Sequence, residues 1–444
     1  MCSIADAGPH GGQRSCKGSA RWLLDEARSR LPPDGWGTLM TSTDSSQVPV
    51  PVHDWAVDDL PALDFDPFMA RLLLHEPIAR IRLPYGEGHA WLVTRYEDVK
   101  LVTSDARFSR RALIGRSVTR LSPHTIPQDE AVGFTDPPRH AQLRKAVARA
   151  FSARSMERIR PLVERTAHEL LEGMERHGSP ADLMEHFNAP LPLTVISEVM
   201  GVPSSDRPLM AHWTGVLLTA ARTREESEAA KAEIRAYFVA LLRRRRAEPR
   251  EDLAGDLAAA VTSAELSEAE AVALAVLIQI SATHAVRNNS ANMVYALLTE
   301  PGLADRLRAA PAVLPQAVEE LLRWIPHRRG VGIARIATQD VEVGGTLIAK
   351  GEVVYASYLT ANRDPSVFER PDELDVDRPR VPHLSFGHGP HFCLASMLAR
   401  LESEVMLTGL LARFPHLRLA VPAKEIAWQP AALIRGPETL PVAW

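Results

Sequence analysis

The chain has 444 residues, with 51 Lys and Arg against 55 Asp and Glu, a formal charge of −4, and 45% hydrophobic residues. So small a charge excludes nucleic acid or an anionic membrane as the main partner on composition, while the apolar share can bury a large core. Only three cysteines are present, Cys2, Cys16 and Cys393; no disulfide framework can be read from them, and a reducing, cytoplasmic setting is expected.

Residues 1–55 are punctuated by Gly, Pro, Ser and Asp and read as a disordered N-terminal extension, with Arg21–Leu31 as the one short helix it could hold. Residues 1–39 are expected to be dispensable, with Met40 as an alternative start, although Trp22, Trp36 and Trp55 sit oddly in a solvating segment. Residues 56–444 read as one large domain, mainly α with small β-sheets. Ile78–Leu83 and Ala90–Val93 are strand-like, and Tyr85–His89 between them reads as a hairpin. Ser155–Gly173, Leu193–Met200, Glu225–Arg246 and Pro315–Trp324 carry apolar residues at helical spacing. Arg243–Arg246 ends one of these helices and reads as a solvated end that complements the macrodipole. The apolar run Ala271–Ile280 is too short to span a bilayer. From Val331 to Val354 the pattern returns to strands, with a turn at Asp340–Gly345.

The stretch Phe386-Gly387-His388-Gly389-Pro390-His391-Phe392-Cys393 is the most informative. Two glycines and a proline frame a rigid loop, and a helix is expected to open at Leu394 and run to about Phe414. A helix N-terminus offers unpaired N–H groups that stabilise a thiolate, and a thiolate so held can ligate iron.

This loop resembles the haem-binding signature of the cytochrome P450 family, and three further segments match in the expected order. Glu320-Leu321-Leu322-Arg323 is similar to the family's Glu-x-x-Arg helix motif. With Arg378 it implies a structural network that supports the cysteine loop. Asp136–His140 through Arg144 resembles the segment whose His and Arg hold a haem propionate; Arg335 and His391 match the other propionate partners, and Phe386 and Gly387 the wall of the haem site. Ala395 stands where the family usually has glycine. The resemblance implies a P450 fold with a long distal helix over haem b, Cys393 as axial ligand, dioxygen and a small molecule as substrates, and electrons from a separate ferredoxin and its reductase. Arg139, Arg144, Lys145, Arg149 and Arg154 are read either as part of an acidic partner's dock or as a solvated helix face.

Ser267-Glu268-Ala269-Glu270 is a capping box that opens a helix expected to run to about Glu300. In the family this helix crosses the distal haem face and carries an acid–threonine pair that relays protons toward dioxygen. Here Ser281-Ala282-Thr283-His284-Ala285-Val286 falls on that motif, with His284 at the acid position and Ala285 at the alcohol position. A one-residue shift of register would bring Thr283 into use. Gln279, Ser281 and Ala282 are expected at the substrate, together with the loop Arg110–Val132 and the segment His327–Gly332. Loss of the alcohol favours chemistry decided by hydrogen abstraction, and conventional hydroxylation with a substitute relay is the alternative. A non-catalytic haem sensor is a remote third reading. Pro84–Trp91 and Arg287–Asn292 also resemble bacterial relatives acting on tryptophan-containing cyclodipeptides, some of which form C–C or C–N bonds.

Overall fold

The computed structural model describes residues 50–122, 130–218, 223–379 and 381–444. The expectations for residues 1–49, and part of the loop Arg110–Val132, lie outside the described residues. The folded unit spans Val50–Trp444. Its first strand, Val52–Asp54, pairs in parallel with Ile78–Arg82. Trp55 behind it is buried and donates its indole N–H to Asp66 at 3.1 Å. Residues 50–55 thus belong to the fold rather than to the extension in which composition placed them. A strand that finds its partner across a helix leaves no local signature.

Six short strands make the main sheet, in the order Val52–Asp54, Ile78–Arg82, Ala90–Val93, Val353–Ala356, Arg335–Ala337, Phe108–Ser109. Ile78–Arg82 and Ala90–Val93 are antiparallel, with Ile81 opposite Ala90. Trp91 pairs in parallel with Val354. All four residues of Ala90–Val93 are buried, as a strand inside a sheet requires. Of the strand-like stretch 331–354, residues 331–334 are not strand, and Gly344 and Gly345 make the turn with positive φ, which glycine adopts without penalty.

Helices form the rest. Ala153–His177, Pro190–Met200, Arg224–Ala247 and Leu314–Trp324 extend the expected spans by a few residues at one or both ends. The ends were set by caps: Ser152 and Thr223 accept from backbone N–H groups at their helix starts, and Gly178 closes the first helix at φ 95°. Arg245 leaves the expected solvated run, being buried against Asp252 and the Gly201 carbonyl. The central helix Glu268–Thr299 opens on the Ser267–Glu270 capping box, with both reciprocal bonds made. Its 32 residues span about 48 Å. By length and composition it could cross a membrane; here its apolar surface is covered by Pro190–Met200, Arg224–Ala247 and Ser396–Arg413.

Candidate functional site

The cysteine loop is built from backbone constraints. Gly387 and Gly389 have φ of 78° and 72°, and a Cβ on Gly389 would lie 2.3 Å from the Thr103 carbonyl oxygen. The Cys393 N–H donates to the Phe386 carbonyl at 2.8 Å, closing the loop. The following helix begins at Ser396, two residues later than expected, with Ala395 as its N-cap. Burial pushes the Cys393 thiol up, while the Ala395 N–H and the charges of Arg144 and Arg400 draw it down. A bound metal ion removes that proton outright.

Behind the loop, Glu320 and Arg323 are fully enclosed in the helix Leu314–Trp324. Arg323 makes a two-pronged bond to Glu320 at 2.7 and 2.8 Å and donates to the carbonyls of Asn362, Pro371 and Glu373. Arg378 donates Nε to the same carboxylate at 3.1 Å. Asn362 carries the network on: its amide donates to Ser385 Oγ at 2.8 Å and accepts from the Leu384 N–H, two residues before Phe386. Every charge in this cluster is satisfied within the protein, which suits support of the loop rather than chemistry.

In front of the loop lies a cavity of about 390 Å³, walled by Phe386, Gly387, His391, Cys393 and Ala395 on one side and by the central helix on the other. One edge is crowded with basic groups. His140 and His391 rings lie 4.2 Å apart. Burial depresses His140 to about 4, helped by Arg144 and Arg110. Burial drives His391 down further, helped by Arg110, His140, Arg335 and Arg144. Arg335 is 3% exposed and its Nη2 has no partner. Arg110, absent from the sequence reading apart from its loop, lines the cavity with an unpartnered Nε, and burial pulls it down to about 9. The carboxylate nearest this cluster, Asp136, is occupied by Ser109 Oγ and the Arg110 backbone N–H. Arg110 and His391 line the cavity with His140, Arg144 and Arg335 close behind them, and five basic groups against the one carboxylate of Asp136 suit the two propionates of haem. The cavity at Cys393 and the small Ala395 that lines it complete the fit to haem.

The central helix presents Ser281, Ala282, Ala285, Val286 and Asn289 to the cavity, a stripe at helical spacing. Gln279, Thr283 and His284 are not on it. Gln279 donates to Ser197 Oγ, and the Thr283 hydroxyl donates back to the Gln279 carbonyl at 2.7 Å. His284 is enclosed with Nδ1 unpartnered, and burial together with Arg287 depresses it to about 4. It is a neutral imidazole at pH 7 and, although it stands at the acid position of the motif, it does not line the cavity. The cavity's acid comes from elsewhere. Glu402, on the helix Ser396–Arg413, lines it with both carboxyl oxygens unpartnered, and complete burial raises it to about 8. A signal for Glu402 was available: an acid between Leu401 and Val405 on an otherwise apolar stripe.

The expected partner dock is also reduced. Arg139 is bound to Glu270 and Arg144 is half-buried, while Lys145, Arg149 and Arg154 are exposed, Arg149 in an ion pair with Asp256.

A mainly helical fold with a glycine-framed cysteine beneath a long distal helix defines a haem-thiolate oxidoreductase. The chain belongs to the cytochrome P450 family, whose sequence profile matches residues 193–438. It is 46% identical to biflaviolin synthase of Streptomyces coelicolor, over 92% of this chain and all of that one. To the mycinamicin IV hydroxylase/epoxidase of Micromonospora griseorubida it is 44% identical over 83% of this chain and 93% of that one. A solved cytochrome P450 described as having biaryl coupling reactivity superposes with a TM-score of 0.86 at 46% identity, covering 89% of this chain and all of that one. The chain is thus a P450 oxidoreductase of the monooxygenase type that uses cysteine-ligated haem b, among relatives that tailor secondary metabolites.

Proposed function

We propose that this P450 joins two electron-rich hydroxyaromatic rings through a new C–C bond, with Cys393 as the iron's ligand. The observation that carries the reading is Arg328. Its side chain lines the cavity, is half-buried, and has no carboxylate partner among the described residues. Once Arg110, Arg335, His140, His391 and Arg144 are engaged by propionates, Arg328 is a cation awaiting an anionic group on the substrate. An ionised phenol supplies one and is readily oxidised. The cyclodipeptide expected from sequence is neutral and offers Arg328 no counter-charge, so the coupling half of that expectation is kept and its substrate replaced. The names of two relatives, biflaviolin synthase and the P450 with biaryl coupling reactivity, support the same reading.

When bound, the haem supplies reductive activation of dioxygen and removal of hydrogen from the substrate. Two hydrogens leave the two rings, and dioxygen takes them up with two protons and two electrons from a separate ferredoxin, giving two waters. The chain's residues orient and protonate. Arg328 fixes the phenolate and lowers its pKa. Glu402 stores a proton in a site where its acid form dominates at pH 7, and Ser281 is the hydroxyl through which the central helix meets the same cavity. The enzyme acts in the cytoplasm, where its reductase is available.

Turnover under labelled dioxygen tests the reading. A dimeric product free of label is expected, and a labelled monomer makes the enzyme a hydroxylase. Arg328→Leu should weaken phenol binding, read from the low-spin to high-spin Soret shift, by about ten- to a hundredfold, since a hydrogen bond to a charged group contributes roughly 1.5–3 kcal/mol. Equal binding by a neutral cyclodipeptide in both proteins would restore the replaced substrate.

A further inference from the structure

We propose that Glu319 and Arg400 act as a positioning pair that sets the charge felt at Cys393, and through it the reduction potential of the haem iron. Glu319 precedes the Glu320 of the buried network, but neighbours on a helix point about 100° apart, and Glu319 faces a different partner set. Arg400, on the helix that follows the cysteine loop, donates Nε and Nη2 to the two Glu319 oxygens at 2.6 and 3.0 Å. This fork holds the guanidinium 4.4 Å from the centre of the Phe386 ring. The Phe386 carbonyl is the acceptor of the Cys393 N–H. Arg400 therefore rests on the residue that fixes the cysteine's backbone, which places its charge at the cysteine loop.

The third member holds the carboxylate still. His383, 1% exposed at its side chain, donates Nε2–H to Glu319 at 3.1 Å, while its Nδ1 accepts the Ser385 N–H at 3.2 Å. Those two bonds fix the ring's orientation, with Nε2 toward the carboxylate. Glu319 stays ionised because the hydrogen bonds from His383 and Arg400 outweigh its burial, holding it at about 2. The result is a net-neutral pair at the cysteine loop, whose positive end lies over the Phe386 ring. Outer partners of this kind tune a metal through its ligand. The inference rests on Cys393 as ligand, which the Cys393→Ala protein tests separately.

The experiment measures the ferric–ferrous potential of full-length holoprotein. Glu319→Gln leaves an uncompensated cation near the sulfur and should favour reduction several-fold. Arg400→Gln leaves an uncompensated anion and should disfavour reduction by a similar factor. The double variant should return close to wild type. A pair that merely braces the loop would instead move both single variants in one direction and weaken the long-wavelength band of the carbon monoxide complex. Shifts of the same sign, or none, overturn the proposal. Should the Arg400 variant fail to bind haem, Glu319→Asp against Glu319→Gln decides: the charge-conserving change should hold the potential that the amide moves, and equal potentials in the two overturn the pair.

Discussion

Cys393 was legible because its frame is local. Two positive-φ glycines and a proline can be read without knowing what packs against them, and the structure adds that Gly389 sits against the Thr103 carbonyl. Cys393→Ala should abolish the long-wavelength Soret band of the reduced carbon monoxide complex; a retained band would reassign the ligand. The acid that lines the cavity was missed, although its place on the helix Ser396–Arg413 was readable. Motif alignment pointed to His284, yet the cavity meets Ser281 and Ala285 on one side and Glu402 from another helix. Glu402→Gln keeps shape and removes the titrating proton. It should lower kcat by about 10²-fold, within the range general-acid catalysis supplies, with the substrate's Soret titration unchanged. Unaltered kcat would remove Glu402 from the relay.

At the scale of elements, the period of apolar residues located the helices and their caps decided the ends. Neither showed that Glu319 and Glu320 divide one helix between two networks, because only the packed neighbours tell which side of a helix meets which loop. The two should also differ energetically. Glu320→Ala strands the buried Arg323 and Arg378 without their carboxylate, and breaking a buried ion pair from one side costs about 3–5 kcal/mol. Chemical denaturation should show that loss together with reduced haem retention, since the network reaches Leu384 and Ser385 through Asn362. Arg245 teaches the same lesson on a smaller scale. It stands third in a run of four arginines, and the buried Asp252 beside it turns a solvated helix end into an internal tie.

For the whole molecule, enclosed neutral histidines make stability depend on acid. His284 titrates at about 4 against about 6.5 when unfolded. The unfolded chain therefore binds the proton first, and stability falls as pH drops from about 6.5 to about 4, then levels off. For His284 alone the loss at pH 5 is about 2 kcal/mol. His284→Leu should flatten that limb of the stability–pH curve while leaving neutral stability little changed, because Nδ1 gives up no hydrogen bond; an unchanged limb would mean that the imidazole is solvated. The sequence by itself determined the helical class, the cysteine loop, the Glu320–Arg323 spacing and the length of the central helix, since each depends on residues close together along the chain. Only the tertiary structure decided that residues 50–55 join the sheet, that Glu402 joins Arg110 and Arg328 in the cavity, and that His284 does not line it. Those facts depend on which face of each element packs inward, and burial from distant segments sets the charge states that local spacing leaves open.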